Sequence, residues 1–215
     1  MNQQLLQTLL FAYGPSGREE TVRGVIEKLA APYCDKLYTD ALGNLIAYRK
    51  GTTQKRVMLS AHMDQIGLIV TDIDEHGFLR VANVGGLCEA ITLAREVVFE
   101  NGVCGVTYFE TEKEKPGAAT FPIMFVDIGA KSREEVKEKV QIGDMAVYRS
   151  AFLELGSRFA CGALDNRLGC YILLEVLMHA KSPHDLYAVF TVQEEVGTRG
   201  AGPAAFAIEP DFAVN

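Results

Sequence analysis

A chain of 215 residues, 48% of them hydrophobic, has material for one large domain or two small ones. Its net charge of −7 and the lack of any Lys/Arg cluster argue against nucleic acid or an anionic membrane as the main partner. No apolar stretch is long enough to span a bilayer, and the N-terminus MNQQLLQTLLFAYGPSG lacks the positive n-region of a signal peptide.

In chain order, Leu5, Leu6, Leu9 and Leu10 have helical spacing, and Gly14 to Gly17 end that helix. Ser16 with Glu19 or Glu20 reads as a capping box opening a second helix, which continues through Val22, Val25, Ile26 and Leu29 and stops at Pro32. Lys36 to Thr39 and Asn44 to Arg49 read as strands around a turn at 40–43. Val57 to Ser60 is a short apolar run, read as a buried strand that leads into Ala61-His62-Met63-Asp64. From Leu68 the texture changes to short β-like runs: Leu68 to Ile73, Phe78 to Ala82, Val97 to Phe99, Val103 to Phe109 and Met145 to Tyr148. Asn101-Gly102 is the sharpest hairpin signal among them, and one helix, capped by Ser132 with Glu135, interrupts. These runs predict a β-rich, barrel-like module at 68–150 inserted into an α/β domain made of 1–67 and 151–215. The α/β texture returns with a helix over 165–180, its core face at Leu168, Ile172, Leu173, Val176 and Leu177. A strand over 186–192 and a short helix over 200–207 follow.

The five cysteines, Cys34, Cys88, Cys104, Cys161 and Cys170, are scattered and form no Cys-x-x-Cys pair. They are expected as buried free thiols in a reducing cytoplasm.

Three stretches put acidic or imidazole groups just past a strand or at a helix start. They are His62 with Asp64, then Asp165 in GALDNRLG, then Glu194-Glu195 after the strand AVFTV. Asp64 can accept a hydrogen bond from one nitrogen of His62 and leave the other free for a metal. Adjacent carboxylates raise one another's pKa unless a cation lies between them. Each stretch also has a plainer reading: a core histidine satisfied by a carboxylate, or two solvated glutamates at a strand end. The ordered set of His-x-Asp, Asp and Glu-Glu is far more specific, because zinc takes imidazole nitrogen and carboxylate oxygen. His76, His179 and His184 read as ordinary surface histidines, and Arg167 and Arg199 as either site or salt-bridge residues.

The stretches AHMDQIG, GALDNRLG and QEEVGTRGA resemble the signatures of the dinuclear metallo-aminopeptidases, the group of glutamyl aminopeptidases, tetrahedral aminopeptidases and "cellulase M". GPSGRE, DALGNLIA and IGDMAVY extend the likeness over the whole chain. The resemblance implies a mixed-sheet α/β sandwich of the zinc-peptidase type carrying an inserted β domain that builds dimers or larger homo-oligomers. It implies peptide substrates and two divalent ions, zinc or cobalt. His62 would bind one ion, with Asp64 orienting it. Asp165 would bridge both ions and be followed by a cis peptide bond. Glu195 would bind the second ion, and Glu194 would be the general base and acid.

Members of this family continue for roughly a hundred residues or more and supply a later Asp and a late His as ligands. This sequence ends PDFAVN, in what reads as the strand before that Asp, and Asp211 is a poor substitute. Each ion then keeps two protein ligands, where catalytic zinc usually has about three. The expectation is weak metal binding and impaired turnover. The alternative is a catalytically inactive truncated homologue that acts only through subunit or partner contacts. A glycan-cleaving enzyme follows only from an old family name, since glycosidases need two opposed carboxyls and no metal.

Overall fold

The leucines at helical spacing form the buried stripe of α1 (Gln3–Leu10), whose N-cap Asn2 accepts a hydrogen bond from the Leu5 amide. The structure is a computed structural model and describes residues 1–110 and 121–215. After α1 come α2 (Glu20–Ala30), β1 (Lys36–Thr39), β2 (Leu45–Arg49), β3 (Arg56–His62), β4 (Gly67–Ile73) and β5 (Phe78–Val84). Then follow α3 (Glu89–Thr92), β6 (Glu96–Phe99), β7 (Cys104–Phe109), β8 (Met124–Asp127), α4 (Arg133–Lys137) and β9 (Met145–Tyr148). The chain closes with β10 (Leu153–Leu155), β11 (Arg158–Ala160), α5 (Leu164–His179), β12 (Asp185–Thr191), α6 (Ala201–Ile208) and β13 (Phe212–Val214). Two units result: residues 1–65 with 151–215, and residues 66–150.

The first unit is built on a five-stranded sheet in the order β1-β2-β12-β3-β13. The β1–β2 and β2–β12 pairs are antiparallel, whereas β3 pairs parallel with both β12 and β13. Side chains alternate across this sheet, as the period of two requires. Leu45, Ala47, Ala61, Leu186, Ala188 and Phe190 join the core under α1, α2 and α5. Ile46, Met58 and Val189 face the other way, against Ala204 and Ile208 of α6. Each large apolar side chain so buried contributes roughly 1.5–3 kcal/mol. The three central strands are apolar on both faces because helices cover both, which is why Val57–Ser60 and Leu186–Val192 read as continuous runs.

The second unit is a closed barrel, β4-β5-β8-β7-β6-β9, antiparallel throughout. Leu68, Val70, Leu79, Val97, Phe99, Met124 and Val126 fill it. Asn101-Gly102 turns β6 into β7, with Gly102 at φ +86. Closure leaves no unpaired sheet edge. Ser132 caps α4 as expected, but the Glu135 carboxylate accepts from the Lys131 amide rather than from Ser132. The mixed α/β fold whose sequence is interrupted by a barrel is the architecture that the resemblance implies.

Three expectations are corrected. Ser16 and Glu19 do not form a capping box: α2 begins at Glu20 without a side-chain cap, the Ser16 hydroxyl turns to Asp64, and the Glu19 carboxylate takes the Gly17 and Gln193 amides. Of the expected core face of α5, Leu173 and Leu177 are buried and Leu168 and Val176 pack partly buried against the core, but Ile172 is 52% exposed, and Arg167, Cys170, Tyr171 and Leu174 are buried as well. That helix is apolar nearly all round, so spacing alone left its phase open. Only Cys170 is a buried thiol; Cys88 and Cys104 are exposed, Cys104 because it lies on the outward pleat of β7.

Candidate metal centre

Parallel pairing levels the ends of two strands. Thr191 of β12 pairs with His62 of β3, and the Met63 amide donates to the Thr191 carbonyl at 2.8 Å. The residues that follow both strands therefore emerge at one carboxyl edge of the sheet, where α/β folds place their ligands. α5 reaches the same edge because Gly169 lets it approach β3: a Cβ there would lie 2.8 Å from the Ala61 Cβ. Cys170 Sγ donates to the His62 carbonyl at 3.2 Å, and burial pushes this thiol up to about 12, so it packs as an inert neutral group.

His62 is 7% exposed. Its Nδ1 lies 3.2 Å from the Asp64 carbonyl oxygen and 3.5 Å from Asp64 Oδ1. Its Nε2 lies 3.0 Å from Asp165 Oδ1 and 3.7 Å from Glu194 Oε2. Burial pulls the imidazole pKa down, but the Asp64 carboxylate and then Glu194 outweigh it and raise it to about 9. Asp64 is fully buried and saturated with donors. The Glu194 amide donates to its Oδ1 at 3.1 Å, the Glu195 amide to Oδ2 at 3.2 Å, and the Ser16 hydroxyl to Oδ2 at 2.5 Å. Burial raises the Asp64 pKa, and His62, Ser16 and the two amides together hold it below the usual carboxylate value.

Asp165 follows Ala163, which sits in the left-handed region at φ 57, and the Asp165–Asn166 peptide bond is cis. The Asp165 side chain is 87% exposed. Glu194 and Glu195 are half-buried. Burial is the main influence that raises the Glu195 carboxyl, followed by an opposing pull from His62 and then by Asp64, Asp165 and Glu194. His62, Glu194 and Glu195 each offer a ligand atom, all within 4.8 Å of one another, and Asp165 lies on the remaining nitrogen of His62. One imidazole among several partly buried carboxylates is a hard N/O donor set that fits a divalent cation and would be costly without a positive charge.

The structure thus brings together His62, Asp64, Asp165, Glu194 and Glu195, the residues singled out from the sequence. The other candidates lie elsewhere. Arg167 is fully buried and donates to the carbonyls of Leu9, Ala12 and Gly14, not to a carboxylate. Arg199 is exposed and bonds the Val196 carbonyl. His179 pairs with Glu175 and His184 with Thr53. Asp211 precedes β13 and is held by Lys55 and the Arg56 amide. Three residues that shape the edge escaped sequence reasoning: Ser16, Glu19 and Asn44. Asn44 is fully buried, accepts from the Val192 amide and donates to the Gly200 carbonyl, so it anchors both ends of the loop that carries the glutamates. The only signal for these three was their place inside the stretches GPSGRE and DALGN.

Comparison with known proteins agrees with this geometry. Residues 43–215 match the family described as M42 glutamyl aminopeptidase, a metal-dependent peptidase family. The lysyl aminopeptidase of Pyrococcus furiosus is 36% identical over 98% of this chain and 64% of its own length. Among solved structures, the aminopeptidase APDkam598 from the archaeon Desulfurococcus kamchatkensis superposes with a TM-score of 0.92 at 39% identity, covering 98% of this chain and 61% of that one. The TET1 peptidase of Pyrococcus horikoshii, described as assembling into a tetrahedron or a large octahedral shell, superposes with a TM-score of 0.87 at 33% identity, over 98% of this chain and 66% of its own. This chain spans 61–66% of the length of these three relatives. On the family match and the shared fold, the chain belongs to the M42 glutamyl aminopeptidase family.

Proposed function

We propose that this chain is a metal-dependent aminopeptidase that hydrolyses the N-terminal residue from peptides. The observation that carries the reading is the convergence of His62, Asp165, Glu194 and Glu195 at one sheet edge above the buried Asp64. His62 and Asp165 would hold one divalent ion, zinc or cobalt, and Asp165 and Glu195 the second. When bound, the ions supply Lewis acidity toward the scissile carbonyl and toward water. Asp64 orients the His62 ring through Nδ1, which leaves Nε2 as the nitrogen that would hold an ion. Glu194 takes a proton from water and returns one to the leaving amine. Its Oε1 accepts from the Thr198 hydroxyl at 3.4 Å, which leaves Oε2 turned toward His62 and the reacting groups.

Two protein donors for each ion, with Asp165 shared, are fewer than the three usual for catalytic zinc. We therefore propose that the ion sites, as these residues alone form them, bind metal weakly. The barrel of residues 66–150 is proposed as the part that makes homo-oligomer contacts, in line with the assemblies described for the TET relative. The five free cysteines support a reducing, cytoplasmic setting.

The test is the release of N-terminal amino acids from a panel of X-peptides, with metal content measured on the same sample. Zinc- or cobalt-dependent turnover that a chelator abolishes is expected, and Glu194→Gln should lower kcat by about 10²–10⁴-fold. Turnover that survives chelation, or a Glu194→Gln variant with full activity, would overturn the reading.

A further inference from the structure

Glu19 sits at the N-cap position of α2 but makes no cap bond there, and it is 4% exposed. Its carboxylate has a different occupation. Oε1 accepts from the Gly17 amide at 2.8 Å and from the Gln193 amide at 3.1 Å, across 174 residues of sequence. No Lys or Arg forms an ion pair with it among the described residues, so backbone amides are what satisfy this buried charge. Gln193 is the residue immediately before the two glutamates and holds a left-handed backbone at φ 55, a conformation that a side-chain-bearing residue adopts only when its surroundings impose it. The next two amides, of Glu194 and Glu195, donate to Asp64. Three successive N–H groups are thus divided between two buried carboxylates, Glu19 for the first and Asp64 for the other two. The loop that carries Glu19 is itself tied to the same edge. Ser16 donates to Asp64, the Ser16 amide bonds the Gln65 carbonyl at 3.2 Å, and the Gln65 amide bonds the Gly14 carbonyl at 3.1 Å.

We infer that Glu19 is a positioning residue: by accepting the Gln193 amide it fixes the backbone turn from which Glu194 and Glu195 face His62. This rests on the aminopeptidase reading for its consequence in catalysis, but not for its structural content. With the Glu19 acceptor removed, the Gln193 amide loses its partner, the left-handed turn loses one of its supports, and the two glutamates spread over several orientations. Glutamine at position 19 keeps an acceptor oxygen in place, whereas alanine keeps none.

The experiment is amide hydrogen exchange on the full chain without metal, comparing wild type, Glu19→Ala and Glu19→Gln. Glu19→Ala should raise exchange at residues 193–195 by about tenfold or more, with the amides of the barrel, residues 66–150, unchanged, and Glu19→Gln should restore most of the protection. Unchanged exchange at 193–195, or a rise of equal size across β12 and the barrel, would overturn the inference. The same variants are then assayed for peptide hydrolysis with saturating zinc, where Glu19→Ala should lower kcat with KM little changed; equal kcat would also overturn it. A wild-type chain without any turnover would sink the aminopeptidase reading, and the exchange result would then decide the role of Glu19 alone.

Discussion

The charge state of His62 depends chiefly on Asp64, and Asp64→Asn exposes that dependence. In the metal-free protein burial draws the imidazole pKa down, and the hydrogen bond and charge of Asp64 reverse the sign, with Glu194 adding to them, to reach about 9 from an ordinary 6.5. That gap corresponds to roughly 3 kcal/mol in favour of the protonated, folded ring. Because the folded pKa is the higher one, this stabilisation is fully present below pH 6.5 and is lost as pH rises through about 9. Asparagine at 64 keeps the volume and removes the charge, leaving Glu194, Asp165 and the residue-64 carbonyl to oppose burial, so the ring should titrate clearly below its wild-type value. The assay is a proton NMR titration of the ring protons of the four histidines, with His62 identified by a His62→Gln variant. Denaturant unfolding at pH 6 and pH 10 supplies the second readout. Between them wild type should lose up to about 3 kcal/mol more than Asp64→Asn, since the buried Cys170 thiol adds the same loss to both. A wild-type His62 that titrates near 6.5, or a variant in which it stays near 9, would refute the reasoning.

Gly169→Ala should force α5 away from β3, because the new Cβ would fall 2.2 Å from Asn166 Oδ1 and 2.8 Å from the Ala61 Cβ. A loss of about 1–3 kcal/mol in denaturant unfolding, with weaker zinc binding by calorimetry, is expected. Arg167→Met should cost roughly 3 kcal/mol or more, since the carbonyls of Leu9 and Gly14 are left buried without the guanidinium, whose own pKa burial depresses to about 10. Limited proteolysis should then cut within residues 9–19 first. Leu6→Ala, in a fully buried position of α1, should lower stability by about 2–5 kcal/mol in guanidinium titration with no change in barrel exchange.

Periodicity carried much of the fold. The α1 stripe, the strand runs of both units and the Asn101-Gly102 hairpin are all local patterns, and each lies where its spacing put it. What spacing did not resolve has local reasons too. α5 is apolar on nearly every side, so its buried phase depends on Gly169 and on the buried Arg167, which are tertiary facts. β8 is four residues long, too short for alternation alone to mark it. The charged residues of the site were legible because carboxylates beside an apolar strand are costly without a partner. Ser16 and Glu19 were misread because their sequence context matches a helix cap, and the competing partners, Asp64 and Gln193, lie 48 and 174 residues away.

The preference of Ser16 and Glu19 for distant partners bears on how the site is built. A serine and a glutamate before a helix can satisfy the helix's own orphan amides, and here they leave them to other partners. The exchange is favourable only if the distant bonds are worth more, which they are when the acceptor is a buried charge and the donor an otherwise stranded amide or hydroxyl. The Gln193, Glu194 and Glu195 amides are such donors, since they follow the end of β12 and have no sheet partner. Negative charge is therefore used twice at this edge. Asp64 and Glu19, buried and satisfied by backbone, set the path of the chain. Asp165, Glu194 and Glu195, more exposed and short of donors, are left to meet cations. On the proposed reading, a metal centre whose ligands stood on their own flexible loop would lose affinity to that loop's entropy, a cost that the two buried carboxylates would remove before any ion arrives.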